Sequence, residues 1–211
     1  MSENGSPIIV NLPYGRYSKK DFDEAVRKAL NIPDRITQRS TVESHALHYV
    51  IGYPTVYIVY SSDINRYSHH TSFTVYVGET NDIIQRTQQH LNADPKKRSD
   101  WLEVAAATKN NKAAFHQYVI AHSKFNKSLT LDVENRLMHY MSSASSVKHL
   151  RNRRTNAQGD YFTSDQFDRI FTDIWLGLHK SDPELFPAEE IIHDSALFKA
   201  SPFHQLNDEQ K

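Results

Sequence analysis

Two runs of β-branched and aromatic residues constrain the fold of this chain more than any other feature. The first, TVYIVY over residues 55–60, begins after Pro54, and the second, FTVYV over residues 73–77, ends at Gly78. Such residues fit the pleated surface of a sheet, so each run predicts a strand. The polar stretch between them, SSDINRYSHHTS, is too long for a tight turn. A third run, QYVIA over residues 117–121, completes a small predicted sheet.

Segments with apolar residues at helical spacing flank these strands. One begins at the predicted cap Ser18, one begins at a cap formed by Thr80 or Asn81 and reaches Leu91, one covers about residues 130–142, and one begins at the predicted cap Ser164. Residues 7–10 are consistent with a further short strand, while residues 32–51 are ambiguous. After Lys180 the chain becomes acidic and contains prolines, which predicts a linker or a loosely docked tail. The mixture of strands and helices predicts the α+β class.

Composition excludes several classes of protein without selecting a partner. There is no cysteine, so disulfides and thiolate metal sites are excluded. The sequence contains no apolar run long enough for a transmembrane helix, and its start lacks the pattern of a signal peptide, which predicts a cytoplasmic location. The 25 basic and 25 acidic residues cancel, but basic residues cluster at positions 96–98 and 148–154. These clusters suit phosphate binding or an ordinary solvated surface.

Arg86 and His90 lie four residues apart on the helix predicted after Gly78, and therefore on one side of it. The planar guanidinium matches the oxygens of a phosphate and stays charged at any working pH. A solvated helix face is the alternative interpretation. His45 and His48 also have helical spacing, but no third ligand accompanies them, and surface histidines or histidines satisfied by hydrogen bonds are expected there.

Glu134 shares a predicted helix face with Leu137, Met138 and Met141. A carboxylate on an apolar stripe must be paired, protonated or bound to a metal, unless it reaches water at the edge of the stripe.

Tyr57 is predicted to alternate with Val56 and Ile58, which point to the opposite face of the sheet. A strand tyrosine normally packs, and a role as a base requires positive charge nearby to lower its pKa.

The order of these features resembles the signature of the GIY-YIG nucleases. In that family a pair of strands bears two tyrosines and leads into a helix with an arginine and often a histidine. This sequence has TVY, then YVG, then ETNDIIQRTQQH at the corresponding places. Downstream, FNKSLTLDVENRL resembles the stretch that holds the catalytic glutamate of that family, and Asn152 in HLRNRR stands where the family often has an asparagine. The resemblance covers about residues 54–162. The first motif departs from Gly-Ile-Tyr, and the loop between the motifs is unusually long.

The resemblance implies a small three-stranded, mainly antiparallel sheet flanked by helices, with extra N- and C-terminal helices. It divides the chain into an N-terminal extension (1–52), a nuclease-like domain (53–162) and a C-terminal helix and linker (163–211). The implied activity is metal-dependent endonucleolytic hydrolysis of nucleic acid, DNA in preference to RNA, with Mg²⁺ or Mn²⁺ held by Glu134. The implied catalytic residues are Tyr57, Tyr76, Arg86, His90 and Glu134. The implied substrate-binding residues are Lys127, Arg151, Asn152 and Arg153.

Two alternatives stay open at this point: a catalytically inactive module that binds nucleic acid, and a protein-interaction domain whose acidic tail docks on a partner. Intact Tyr57, Arg86 and Glu134 favour the enzyme. A second resemblance is to the region before a P-loop ATPase or helicase-like domain in bacterial multidomain proteins. It rests on FNKSLTLDVEN and on the closing SPFHQLNDEQ. The phosphate-binding loop motif is missing from this sequence, so such a domain would be a partner that follows on the same polypeptide.

Overall fold

The computed structural model describes residues 5–32, 41–64, 67, 70–92, 94–96, 101, 115–151 and 166–200. The strands in these ranges are β1 (Ile8–Pro13), β2 (Thr55–Ile64), β3 (Thr71–Thr80), β4 (His116–Ala121) and β5 (Val147–Leu150). The α-helices are α1 (Lys19–Ala29), α2 (Thr41–Gly52), α3 (Ile83–Asn92), α4 (Lys127–Ser143), α5 (Phe167–Ser181), α6 (Glu189–Asp194) and α7 (Ala196–Lys199). A short 3₁₀ turn, Asp94–Lys96, follows α3.

The strands form one open sheet in the order β1-β4-β2-β3-β5. Neighbouring strands are antiparallel except β5, which runs parallel to β3. The α+β class and the mainly antiparallel sheet are thus confirmed, whereas the expected number of three strands is wrong. The three predicted strands are the central ones. β1, from the predicted N-terminal extension, pairs with β4, and the short β5 adds to the other edge.

Alternation along the strands gives the sheet two apolar faces, as predicted for β2. Tyr57 and Val59 lie on one face, which we call the α3 face because α1, α2 and α3 cover it. Val56, Ile58 and Tyr60 lie on the other face, which we call the α4 face because α4 to α7 cover it. Burial on both sides explains why β2 is buried without interruption from residue 55 to residue 60 and carries no charged residue there.

Local sequence signals account for the helices of the α3 face. Ser18 caps α1 by accepting from the backbone N–H of Asp21, and Phe22 and Val26 point inward one turn apart. The ambiguous segment before β2 contains α2. Asp82, in place of the predicted Thr80 or Asn81, accepts from the backbone N–H of Gln85 at the start of α3. The cap of α3 therefore lies a few residues after the end of β3, which fixes where this helix crosses the sheet.

The C-terminal segment packs on the α4 face. Leu185, Phe186 and Ile192 are fully buried, and Tyr140 of α4 donates to Glu189 at 2.7 Å. The linker interpretation is therefore wrong for residues 182–200, because these apolar side chains dock on α4 and α5. The predicted cap Ser164 lies outside the described residues. Among the helices that the structure describes, none combines the length and the apolar character needed to span a bilayer.

Candidate active site

Tyr57 and Gly78 are directly opposite each other on the paired strands β2 and β3. The phenol of Tyr57 lies across the glycine, and a Cβ added there would be 2.4 Å from its Oη and 2.5 Å from its Cζ. A Cβ atom does not approach non-bonded heavy atoms this closely, so any side chain at position 78 would force the ring of Tyr57 to move. The glycine that ends the second β-run therefore makes room for the tyrosine of the first.

A chain of two short hydrogen bonds joins Tyr57 to Asp94. The Oη of Tyr57 is 2.7 Å from Nε2 of His90, and Nδ1 of His90 is 2.6 Å from Oδ2 of Asp94. An ionised carboxylate can only accept, so Nδ1 carries a proton. In the neutral ring Nε2 is then an acceptor, and the hydroxyl of Tyr57 donates to it. The arrangement follows the logic of a Ser-His-Asp triad, with a tyrosine hydroxyl in the place of the serine.

Helical spacing brings the arginine to the same hydroxyl. Arg86 lies one turn before His90 on α3, and its Nε donates to Oη of Tyr57 at 3.3 Å. Its Nη1 donates to Oε1 of Gln89 at 3.2 Å and lies 4.0 Å from Oδ2 of Asp94. The Arg86 side chain is 31% exposed, so it borders solvent while it contacts the buried phenol. The arginine is thus a partly buried member of the cluster, not a purely solvated one.

Burial raises the pKa of Tyr57 well above 10, and the neighbouring Tyr76 raises it further. The guanidinium of Arg86 opposes this shift but does not overcome it. The lowered pKa that a role as a base requires is therefore not reached in the protein by itself. Burial lowers the pKa of Arg86, but the two phenols outweigh it and the net direction is upward. At neutral pH the pair is a neutral phenol beside a permanent cation.

Aromatic rings enclose the imidazole. The indole of Trp101 stacks on His90 with ring centroids 3.9 Å apart and planes 15° apart. Tyr76 meets both rings edge-on, 5.3 Å from His90 and 5.0 Å from Trp101. His90 is 0% exposed. Because water is excluded, the hydrogen bonds to Tyr57 and Asp94 act in a medium of low dielectric, where they are stronger.

The structure places Glu134 on α4, whose apolar stripe covers the face of the sheet opposite to Tyr57. Glu134 is half-buried, which fits the edge position that the sequence left open. One and two turns earlier on the same side of α4, Thr130 and Lys127 both contact the carboxylate of Glu79. Glu79 directly follows Gly78. The first turns of α4 therefore lie at the end of β3 where the hydroxyl of Tyr57 is found.

The predicted substrate-binding residues have different settings. Lys127 forms an ion pair with Glu79, so part of its charge is neutralised. The backbone N–H of Arg151 donates to the carbonyl of Val75 at 2.8 Å, which extends the pairing of β5 towards Tyr76. Asn152 and Arg153 lie outside the described residues. Of the nine predicted residues, the structure thus gathers Tyr57, Tyr76, Arg86 and His90 into one cluster.

The donors offer a test of the implied metal. Within the described residues there is no group of three or more histidine, aspartate or glutamate side chains that could hold an ion. Mg²⁺ often binds through one or two carboxylates together with substrate phosphate oxygens and water. Glu134 supplies a hard oxygen donor of this kind. The residues therefore fit a metal that is bound together with the phosphate.

Sequence reasoning missed three residues of this region. Asp94 follows His90 by four residues, the spacing of one helical turn, so this pair was visible in the sequence. Glu79 directly follows the glycine of the second motif, where a carboxylate at a strand end invites attention. Trp101 has no local signal, because only the tertiary structure places it on His90.

Comparison of the chain with protein-family models, with curated proteins and with solved structures finds no match. The nuclease resemblance is therefore a hypothesis, and its support comes from the side-chain geometry around Tyr57.

Proposed function

We propose that this protein is a metal-dependent endonuclease of the GIY-YIG type that hydrolyses phosphodiester bonds, in DNA rather than in RNA. One observation carries the proposal. The buried hydroxyl of Tyr57 is bonded on one side to a histidine that can accept its proton and on the other to an arginine that can stabilise the resulting anion. A buried tyrosine that only packs needs one hydrogen-bond partner for its hydroxyl, whereas Tyr57 has two, and a carboxylate fixes the tautomer of one of them.

The hydrogen bonds suggest how a tyrosine with a raised pKa acts as a base. As water attacks phosphorus, one of its protons passes to Oη of Tyr57 while the phenol proton passes to Nε2 of His90. Asp94 stabilises the imidazolium that forms, and Arg86 stabilises negative charge on the phenol oxygen and on the phosphate. The bond from phosphorus to the 3′ oxygen breaks, and the leaving alkoxide takes a proton from solvent. His90 then passes its proton through Asp94, whose side chain is 23% exposed, to solvent, and the cycle closes.

Two further parts of the proposal are the side from which the substrate phosphate reaches the cluster and the residue that binds the metal. Arg86 is the partly exposed member of the cluster, so the substrate phosphate approaches from its side. Mg²⁺ or Mn²⁺, when bound, supplies electrostatic stabilisation of the leaving oxygen. Glu134 is the carboxylate that we assign to it. Arg151, Asn152 and Arg153 would bind the flanking backbone, where positive charge releases counterions from the nucleic acid.

A nicking assay on supercoiled plasmid with Mg²⁺, Mn²⁺ or EDTA tests this function. The wild-type chain should nick only with a divalent cation. Glu134→Gln keeps the shape but removes the charge, so it should lose metal-dependent nicking and keep DNA binding. The matched control is Glu24→Gln on the exposed surface of α1, which should nick like the wild type. No nicking by the wild type, with DNA binding retained, would instead favour the inactive binding module.

A further inference from the structure

A third tyrosine lies beside the catalytic cluster, and it comes from the N-terminal segment that sequence reasoning set apart. Tyr14 directly follows β1, and its backbone N–H donates to the carbonyl of Phe115 at 2.9 Å. Its side chain is 4% exposed and belongs to the core of the α3 face, as Tyr57 does. The pairing of β1 with β4 is what brings this part of the chain to the site.

The hydroxyl of Tyr14 is buried and has no hydrogen-bond partner among the described residues. A buried donor without a partner is costly, and native proteins rarely keep one without a reason. Thr55 and Gln117 on the same face also have buried polar atoms without a partner in these ranges. Tyr14 differs from both in its surroundings. Its ring is 6.2 Å from that of Trp101, the indole that stacks on His90 and meets Tyr76.

Charged and ionisable groups of the cluster also influence the pKa of the Tyr14 hydroxyl. Burial raises the pKa of Tyr14 most, Tyr76 and Asp94 raise it further, and Arg86 lowers it. The net direction is upward, so the hydroxyl keeps its proton over the whole physiological range and is available as a donor. A neutral donor in the electrostatic field of the guanidinium of Arg86 is suited to an anionic oxygen.

We propose that Tyr14 is a further catalytic residue, whose hydroxyl donates a hydrogen bond to a phosphate oxygen of the bound strand beside Arg86. This inference rests on the proposed function, since it assigns the anion to the same site. The donor is already fixed by β1 and by the packing against Trp101, so it loses little freedom when the phosphate arrives. The unsatisfied hydroxyl in the free protein is then a local cost of a preorganised site.

The test compares Tyr14→Phe with the control Tyr17→Phe in the full chain. The hydroxyl of Tyr17 is exposed and donates to the carbonyl of Pro13, away from the cluster. Binding of a fluorescein-labelled 20-base-pair duplex is measured in EDTA by anisotropy, cleavage is measured with Mg²⁺ under single-turnover conditions, and Tm is measured by circular dichroism. Tyr14→Phe should weaken binding and slow cleavage about tenfold or more each, as loss of a hydrogen bond to a charged group predicts. Its Tm should be unchanged or higher.

The outcomes separate this inference from the function on which it rests. Wild-type binding and cleavage by Tyr14→Phe would overturn the role of Tyr14 while leaving the nuclease intact. A loss of binding that comes with a lowered Tm would also overturn it, because the hydroxyl would then be structural. If the wild type binds DNA without cutting it and Tyr14→Phe binds more weakly, the phosphate contact is supported and the nuclease activity is refuted.

Discussion

Gly78→Ala is the substitution that most directly exploits the contact between the two central strands. The added Cβ would lie 2.4 Å from Oη and 2.9 Å from Cε1 of Tyr57, so the ring must move by about 1 Å to reach an ordinary contact. Tyr57 is 1% exposed and is bordered by Tyr76 and His90, which leaves it no free space. The phenol therefore cannot move without loss of its hydrogen bonds to His90 and Arg86.

Two effects set the size of the change. Overpacking a filled core costs about 1–3 kcal/mol, and loss of one buried hydrogen bond costs about 1 kcal/mol more. For a chain of this size each kcal/mol lowers Tm by about 2–4 °C, so Gly78→Ala should lower Tm by at least about 4 °C. A displacement of about 1 Å at a reacting group slows chemistry about 100-fold. At temperatures below its melting transition, Gly78→Ala should therefore cleave about two orders of magnitude more slowly than the wild type.

Thermal unfolding and single-turnover cleavage at a temperature where both proteins are folded measure the two effects. Gly15→Ala is the matched control, because a Cβ at position 15 meets no atom within 4 Å. The control should be neutral or slightly stabilising, since alanine restricts the unfolded chain. Gly78→Ala with the Tm and the cleavage rate of the control would refute the packing argument and, with it, the placement of Tyr57.

Three further results are expected. Arg86→Ala should slow cleavage by a factor of about 10²–10³. It should also lower the free energy of unfolding by about 1 kcal/mol, since the hydrogen bond to Tyr57 is lost. An unchanged cleavage rate would remove Arg86 from the mechanism. Burial raises the pKa of Tyr57, so this tyrosine ionises first in the unfolded chain and makes stability fall above pH 10 by about 1.4 kcal/mol per pH unit, in addition to the contributions of other buried tyrosines. Urea titrations should show a shallower fall for Tyr57→Phe, and equal slopes would contradict the shift. Truncation after residue 181 should yield insoluble protein, because Leu185 and Phe186 are both 0% exposed; a soluble fragment with wild-type Tm would contradict it.

The central part of the fold could be predicted from the sequence because its signals are local. The β-branched runs of β2 and β3 and the cap at Ser18 are set by neighbouring residues, and the structure confirms them. Helical spacing placed Arg86 and His90 on one side of α3, and the structure shows both contacting Tyr57. The same spacing relates Asp94 to His90, and the structure shows a hydrogen bond between them.

The remaining features depend on contacts distant in sequence. β5 has only four residues, VKHL, and joins the sheet through backbone pairing with β3. Leu185 and Phe186 stand among acidic residues and prolines, so their local composition predicted a linker, but α4 and α5 offer an apolar surface that buries them. The net direction of the pKa of Tyr57 depends on distant contacts in the same way. The nearby charge was visible in the sequence, whereas the burial that outweighs it is a property of the folded protein.

The most direct test of the central claim is the single-turnover rate of cleavage of a labelled DNA duplex by the wild type and by Tyr57→Phe, in Mg²⁺ at neutral pH. The substitution removes only the hydroxyl that links His90 and Arg86. The wild type should cut, and Tyr57→Phe should be slower by about 10²–10⁴, the range of general base catalysis, with the affinity for DNA retained. Equal rates for the two proteins, or a wild type that does not cut under any divalent cation, would contradict the claim.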